Sequence, residues 1–289
     1  MQIALVTYDD QGKYASSVEN EDHQLLQFLR QKGLNIRPEI WTDPQVDWQT
    51  YDLAILKSPW DYFDKIELFY GWLDKLEQLP VRLLNPHSIV RWNSDKHYLA
   101  DIEANGLRVT PTSFLKKSQT PDLNSHFDTY ASAKIVVKPC ISGGSKHTFA
   151  ITRDEIPHTS SILQPLLQHE SFMVQPFLPQ IQQEGEWSFL FFNGRFSHSL
   201  LKKARPGDFR VQHYLGGTIH RDAAPARIIR EAEAYVERFA KDCLYVRIDG
   251  LMIDNHFMLM ELELIEPFLF LFTYPGSYIN YYQALKQLL

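Results

Sequence analysis

The stretch "LYVRIDGLMIDNHFMLMELELIEPFLFL", beginning at Leu244, constrains the fold of this chain most. Two runs with the apolar alternation of β-strands carry Asp249, Glu261, Glu263 and Glu266 among residues that belong in a core. Asp254, Asn255 and His256 read as a three-residue hairpin loop. Such a loop sets Asp249 opposite Glu261 and Arg247 opposite Glu263, so the four share one sheet face while Leu262 and Leu264 take the other. A two-residue loop would turn Asp249 to the wrong face, because one step of register reverses every side chain. Anions held this close raise one another's pKa unless a cation intervenes. Hard oxygen ligands with open positions suit Mg²⁺, which commonly binds through one or two carboxylates plus phosphate oxygens. The alternative is an Arg247-centred ion-pair network on a solvated face.

The rest of the composition narrows what such a hairpin could serve. A chain of 289 residues, 44% hydrophobic and 22% charged, can bury a substantial core and divides naturally into two or three compact units. Its formal charge of −6 argues against broad nucleic-acid binding, which draws affinity from clustered Lys and Arg. Cys140 and Cys243 give neither zinc spacing nor a disulfide framework, and "MQIALVTYDD" is too short an apolar run for a signal peptide. The C-terminal apolar runs are broken by Glu, Asp, His and Asn well before the roughly 20 residues that span a bilayer. The expectation is a cytoplasmic protein with no membrane partner.

Along the chain, "QIALVTYDD", "DLAILKSPWDY" and "VRLLNP" read as strands separated by the helices "EDHQLLQFLRQKG" and "IELFYGWLDKLEQL", a small parallel α/β layer over residues 1–87. From Ser88 a helical run, "HSIVRWNSDKHYLADIEANG", leads to the extended "LRVTPTSFL", a polar stretch, and the strands "KIVVKPC" and "SFMVQPFL", a second unit over 88–180. The remainder, 181–289, holds a hairpin marked by Asn193-Gly194, a helix around "ARIIREAEAYVERFAKD", and the opening hairpin.

Three further elements carry chemistry. "KIVVKPCISGGSKHTF" ends a strand at Lys138 and continues through Ser142, Gly143, Gly144 and Ser145, whose backbone N–H groups can make an anion-binding nest; an ordinary hairpin turn is the competing reading. "VQPFL" can present backbone groups and Phe177 to a planar base, or is simply an apolar strand. "LLKKARPGDFRVQHYLGGT" crowds Lys202, Lys203, Arg205 and Arg210 around glycines, suiting a transferring phosphoryl group or a carboxylate, or a surface loop with solvated charges.

In this order the elements resemble the ATP-grasp superfamily, from about Arg91 to Phe270. The resemblance is closest to the branch containing bacterial glutathione synthetases, ribosomal-protein glutamate ligases and D-cycloserine-forming ligases, and "RWNSDKHYL", "VQPFLPQIQQEGEWSFLFFNGRFSHSLLKKARPGDFRVQ" and "MELELIEPFLF" are particularly similar to the D-cycloserine-forming members. The resemblance implies an α/β (α+β) ATP-grasp fold: an N-terminal parallel α/β domain, a central lid domain and a C-terminal antiparallel-sheet domain. It further implies that Lys96 and Lys138 contact ATP phosphates beneath the Ser142–Ser145 loop. Gln175 and Phe177 would line the adenine pocket, Glu184 the ribose, and Asp249, Glu261 and Glu263 would hold Mg²⁺, with Mn²⁺ an acceptable substitute. Several relatives have Asn where this chain has Glu263. Lys202 and Arg210, helped by Arg247, would stabilise an acyl phosphate and the tetrahedral intermediate that follows.

A carboxylate–amine ligase acting on a small amino acid or peptide is the implied activity, including intramolecular ring closure. An ATP-grasp phosphotransferase and a non-catalytic nucleotide-binding protein are the alternatives. The implied partners are a small-molecule carboxylate and an amine. Their expected binding place is "LKSPWDYF", with Lys57, Ser58, Trp60, Asp61 and Tyr62, since ligands of open α/β sheets bind beyond the carboxyl ends of strands. His97, His198 and His213 read as packing or substrate contacts rather than catalysts. Tyr274, Tyr278, Tyr281 and Tyr282 read as packing against the last helix, with a homo-oligomer interface as the alternative.

Overall fold

The computed structural model describes residues 1–9, 20–212 and 215–289, and its strands form three sheets. The first is parallel, ordered β2(Asn35–Ile40)-β1(Gln2–Thr7)-β3(Leu53–Ser58)-β4(Arg82–Leu84). Both faces are covered, as parallel sheets require: Ile3, Leu5, Leu53 and Ile55 enter one core, and Ala4, Val6, Ala54 and Leu56 the other. The second core is aromatic, with Trp41, Trp48, Phe69 and Trp72 in mutual ring contact. Strand β2 is absent from the sequence reading because "NIRPEI" contains Pro38. The strand lies at the sheet edge, where a missing N–H is tolerated.

The remaining two sheets are antiparallel. One is ordered β5(Ser113–Leu115)-β8(Phe172–Pro176)-β6(Ile135–Pro139)-β7(Phe149–Ile151). It packs on helices Leu123–Thr129 and Ile156–Leu167 through Phe127, Leu163 and Leu167. The other is ordered β11(Thr218–His220)-β10(Arg195–Lys203)-β9(Glu186–Phe192)-β12(Tyr245–Ile253)-β13(His256–Glu263). Asn193 and Gly194 join β9 to β10 with φ of 45° and 75°, the two positive values a type I′ turn needs.

The run from His87 is two helices, His87–Asn93 and Tyr98–Ala104, rather than one. The interruption places Lys96 in a turn whose N–H donates to the Cys140 carbonyl at 2.9 Å. Both helices anchor the edge strand β13. Asn93 exchanges hydrogen bonds with the backbone of Leu262 and Leu264, and the Tyr98 hydroxyl accepts from the Leu262 N–H. Covering an otherwise open strand edge in this way removes a pairing surface.

The faces of β9 and β12 explain where the site lies. Phe189, Phe191, Val246 and Ile248 point into one core with Ala232, Tyr235 and Val236 of helix Ala226–Phe239. On the opposite face Leu190, Phe192 and Tyr245 join a core shared with β1 and the C-terminal helix Ser277–Leu288. Two residues further along that same face come Arg247 and Ser188, then Asp249 and Glu186, and the core gives way to a polar cleft.

Candidate active-site cleft

The hairpin that carries Asp249 and Glu261 differs from expectation in its turn and agrees in its register. The loop has two residues, Asp254 and Asn255, with φ of 49° and 63°. That turn pairs Gly250 with Leu259, and uninterrupted it would put the carboxylates out of step. A β-bulge at Met260 supplies one extra residue, so Asp249 faces Glu261 and Arg247 faces Glu263. Gly250 is required beside the bulge, since a Cβ there would lie 2.3 Å from the Met258 carbonyl oxygen.

Around this pair the cleft has a volume of about 440 Å³. Arg247 donates to both oxygens of Asp249, at 2.9–3.2 Å, to Glu263, and to the Phe268 carbonyl at 3.0 Å. Ser188 Oγ donates to Asp249 at 2.5 Å, and Lys202 bridges Asp249 (3.3 Å) and Glu186. The Arg247-centred network expected as the alternative is present, and it lines a cleft rather than a solvated face.

Lys96 Nζ sits 3.1 Å from Glu261 and donates to the Ser142 carbonyl at 2.6 Å. Burial works against this ammonium, but Glu261, Glu266 and Glu263 more than offset it, and its pKa lies above the ordinary value. Lys138 also lines the cleft, and there burial prevails over Glu261, holding its pKa below the ordinary value. The anions are in surplus. Burial, opposed by Arg247, pushes Glu263 up to about 7, with Asp249 and Glu261 adding repulsion. Desolvation in the cleft, with repulsion from Glu263, pushes Glu266 up to about 8.

The Ser142–Ser145 loop forms one wall. Gly144 and Ser145 are left-handed, at φ 59° and 61°, and Gly143 lies against the Phe63 ring so closely that a Cβ would stand 2.4 Å from it. Lys146, just beyond, pairs with Asp64 at 2.6 Å, tying the loop to the first sheet's unit. The opposite end is apolar, with Phe177, Leu178, Ile181, Phe209 and Met260; Phe177 and Phe209 meet edge to face at 5.8 Å. Gln175 lines this end and donates to Thr112 Oγ1 at 2.9 Å. Arg210 lines the cleft while paired with Asp208 at 2.9 Å.

Five expected site residues lie elsewhere. Glu184 is exposed, after helix Gln180–Gln183, whereas Glu186 on β9 reaches the cleft. The strand period of two, counted back from Ser188, was the signal for Glu186. Lys57 is buried and paired with Glu21 (3.1 Å) and Asp22 (2.9 Å), and Ser58 donates to Asp22. Asp61 accepts from Trp41 Nε1 and Lys65, and Tyr62 is packed in the aromatic core. Of the expected substrate-side residues only Trp60 lines the cleft, joined there by Phe63, Glu266, Phe268 and Phe270, which the sequence reading did not assign to the site. His97 stacks on Phe114 at 4.3 Å, His198 is buried, and His213 lies outside the described residues. Tyr281 is fully buried, Tyr278 donates to Gln24, and Tyr282 packs edge-on against Phe28, while Tyr274 is exposed.

The arrangement offers an apolar slot for a planar group, lysines and backbone N–H groups for phosphates, and hard oxygen donors for a divalent cation. Comparisons with known proteins agree with that chemistry. Residues 107–267 match the ATP-grasp domain of prokaryotic glutathione synthetase, and residues 3–85 the N-terminal domain of D-cycloserine synthetase DcsG. The cycloserine biosynthesis protein DcsG of Streptomyces lavendulae is 27% identical over 284 residues, spanning 91% of this chain and 92% of that protein. The crystal structure of D-cycloserine synthetase DcsG superposes with a TM-score of 0.84 at 26% identity, covering 99% of each chain. D-alanine–D-alanine ligase from Bacillus anthracis, solved with ATP, shares the fold at a TM-score of 0.70 and 15% identity, over 99% of this chain and 96% of that one.

Proposed function

The chain belongs to the ATP-grasp family of prokaryotic glutathione synthetase, and on that premise we propose that this ATP-dependent, C–N bond-forming ligase works through an acyl phosphate on a small amino acid or peptide. The observation that carries the reading is the division of one cleft into an apolar slot at Phe177 and Phe209, a cationic floor at Lys96 and Lys138, and carboxylates at Asp249, Glu261 and Glu263. A nucleotide fits that sequence of environments, with its base at the apolar end and its phosphates over the lysines.

A carboxylate is a poor electrophile because oxygen leaves badly. Attack of its oxygen on the γ-phosphorus of ATP makes an acyl phosphate and releases ADP. An amine then attacks the acyl carbon, phosphate departs, and the amine loses its proton. Phosphoryl transfer needs orientation and charge neutralisation more than a nucleophilic side chain. Lys138 and Lys96 neutralise the phosphates, the Ser142–Ser145 backbone covers them, and Gln175 borders the base. Lys202, Arg210 and Arg247 balance charge on the acyl phosphate and the tetrahedral intermediate. The anion surplus around Glu263, which faces Asp249 and Glu261 as well as Arg247, fits a divalent cation. Asp249, Glu261 and Glu263 would hold Mg²⁺, which supplies further charge neutralisation to the phosphates.

The three sheets support three units with boundaries near residues 87 and 180. We place the acyl and amine substrates between the phosphate end and the wall formed by Trp60 and Phe268, and the enzyme in the cytoplasm. Among the described residues no helix is long and apolar enough to cross a membrane. Ring closure of an amino-oxy amino acid is one form of this chemistry.

The test uses small amino acids, amino-oxy amino acids and dipeptides labelled with ¹⁸O in the carboxylate, incubated with Mg²⁺ and ATP. One labelled oxygen transferred to inorganic phosphate, together with amine consumption, is expected. ADP release into a stable phosphorylated product with no amine consumed would make the protein a phosphotransferase.

A further inference from the structure

Charged side chains lining the cleft are almost all satisfied by one another. Lys96 pairs with Glu261, Lys202 with Glu186 and Asp249, Arg247 with Asp249 and Glu263, and Arg210 with Asp208. Among the described residues two lining charges have no ion pair and no side-chain hydrogen bond: Lys138 and Glu266. They are of opposite sign. Lys138 lies at the end of β6, beside the phosphate-covering loop, where an unpaired cation awaits an anionic ligand. Glu266 follows β13, and its surroundings are of another kind. Its backbone carbonyl accepts from Trp60 Nε1 at 2.9 Å, and Trp60, Phe63 and Phe268 line the same cleft.

A carboxyl group in a cleft with aromatic walls suits an ammonium group, whose charge holds the carboxyl ionised and gains a charge-assisted hydrogen bond from it and cation–π attraction from the rings. Resting on the ligase reading above, we propose that Glu266 recognises the α-ammonium of an amino-acid substrate, the amine that is not joined in the reaction. The reacting amine must be neutral to attack an acyl phosphate, so a group held by charge is the spectator one. The geometry therefore favours an α-amino acid over a simple carboxylic acid as the substrate. Trp60, the expected substrate-side residue that does reach the cleft, positions Glu266 through its backbone as well as offering its ring.

The experiment loads the protein with Mg²⁺ and a non-hydrolysable ATP analogue and titrates D- and L-alanine and D- and L-serine against propionate and 3-hydroxypropionate. At least one amino acid is expected to bind the parent about 10- to 100-fold more tightly than its desamino counterpart. Glu266→Gln should erase that preference and Glu266→Asp retain part of it, with nucleotide affinity within about twofold of the parent showing that the variants fold. Equal binding of amino acids and desamino acids, or no binding of either, overturns the assignment. So does loss of metal–nucleotide binding in Glu266→Gln comparable to that in Glu261→Gln, which would make Glu266 part of the metal site. Parent protein that fails to bind the nucleotide sinks the ligase reading itself, a result distinct from these.

Discussion

Asp249 and Glu261 stand opposite each other on β12 and β13 because Met260 bulges out of β13 between them and the turn. The carboxylate pair thus depends on backbone crowding as much as on charge. Gly250→Ala would drive a Cβ to 2.3 Å from the Met258 carbonyl oxygen and 2.5 Å from the Phe257 ring. Overpacking of this kind destabilises by about 1–3 kcal/mol. A shifted urea midpoint with an unchanged m-value is the expected reading, accompanied by weaker nucleotide binding.

The two phosphate-side lysines should separate under mutation. Lys96→Met leaves Glu261 and the Ser142 carbonyl without their partner, so stability should fall by roughly 1–3 kcal/mol along with ATP affinity. Lys138 has burial working against its charge and no ion pair to lose. Lys138→Met should therefore keep or raise the melting temperature while ATP binding weakens at least about tenfold. Calorimetry and a thermal melt on both variants check the contrast.

Lys57 belongs to a buried ion cluster outside the cleft lining. Glu21 is 2% exposed, and its two oxygens accept from the Leu269 and Leu271 N–H groups at 2.8 Å each. Lys57 completes that cluster and lies 5.8 Å from the Phe268 ring centroid. Glu21→Ala strands two buried amides and leaves the Lys57 ammonium with Asp22 alone, an expected loss of roughly 2–4 kcal/mol. The double variant Glu21→Gln, Lys57→Met should recover part of it, and a double-mutant cycle by chemical denaturation measures the coupling.

His198 makes stability depend on acid. It is 4% exposed, and burial lowers its pKa to about 4 from the usual 6.5. Its Nε2 donates to the Leu269 carbonyl at 3.0 Å, leaving Nδ1 to accept from Ser197 Oγ. The folded state refuses a proton that the unfolded chain takes up, so this contribution is intact above pH 6.5. It declines as pH falls toward 4, by up to roughly 3 kcal/mol. His198→Gln should flatten that part of the stability profile between pH 4 and 6.5.

Much of this was legible in the sequence. The alternation in "YVRID" and "ELEL" announced a strand pair with one charged and one apolar face, and Leu262 and Leu264 are indeed buried while Glu261 and Glu263 line the cleft. Turn chemistry was clear at Asn193-Gly194, where both φ values are positive. The bulge at Met260 was not legible, because it answers to the backbone packing around Gly250 rather than to any local pattern. Nor was the break at Lys96, whose cause is a tertiary bond to Cys140. "LKSPWDY" contains polar residues at a strand's end whether they face a ligand or a buried helix terminus. Glu21 and Asp22, distant in sequence, decide that Lys57 and Ser58 face inward. Glu266, noticed as a carboxylate, and Phe268 were not assigned to the site because their place in the cleft follows from those same clamps on the chain after β13.

The most direct test of a cleft built for a metal-bound nucleotide is calorimetric titration of ATP into the parent and Glu261→Ala, each with Mg²⁺ and then with EDTA. The account predicts tight binding by the parent with Mg²⁺, and binding weakened at least about tenfold by EDTA or by the substitution. Absence of binding by folded parent protein, or binding indifferent to both metal and Glu261, would contradict it.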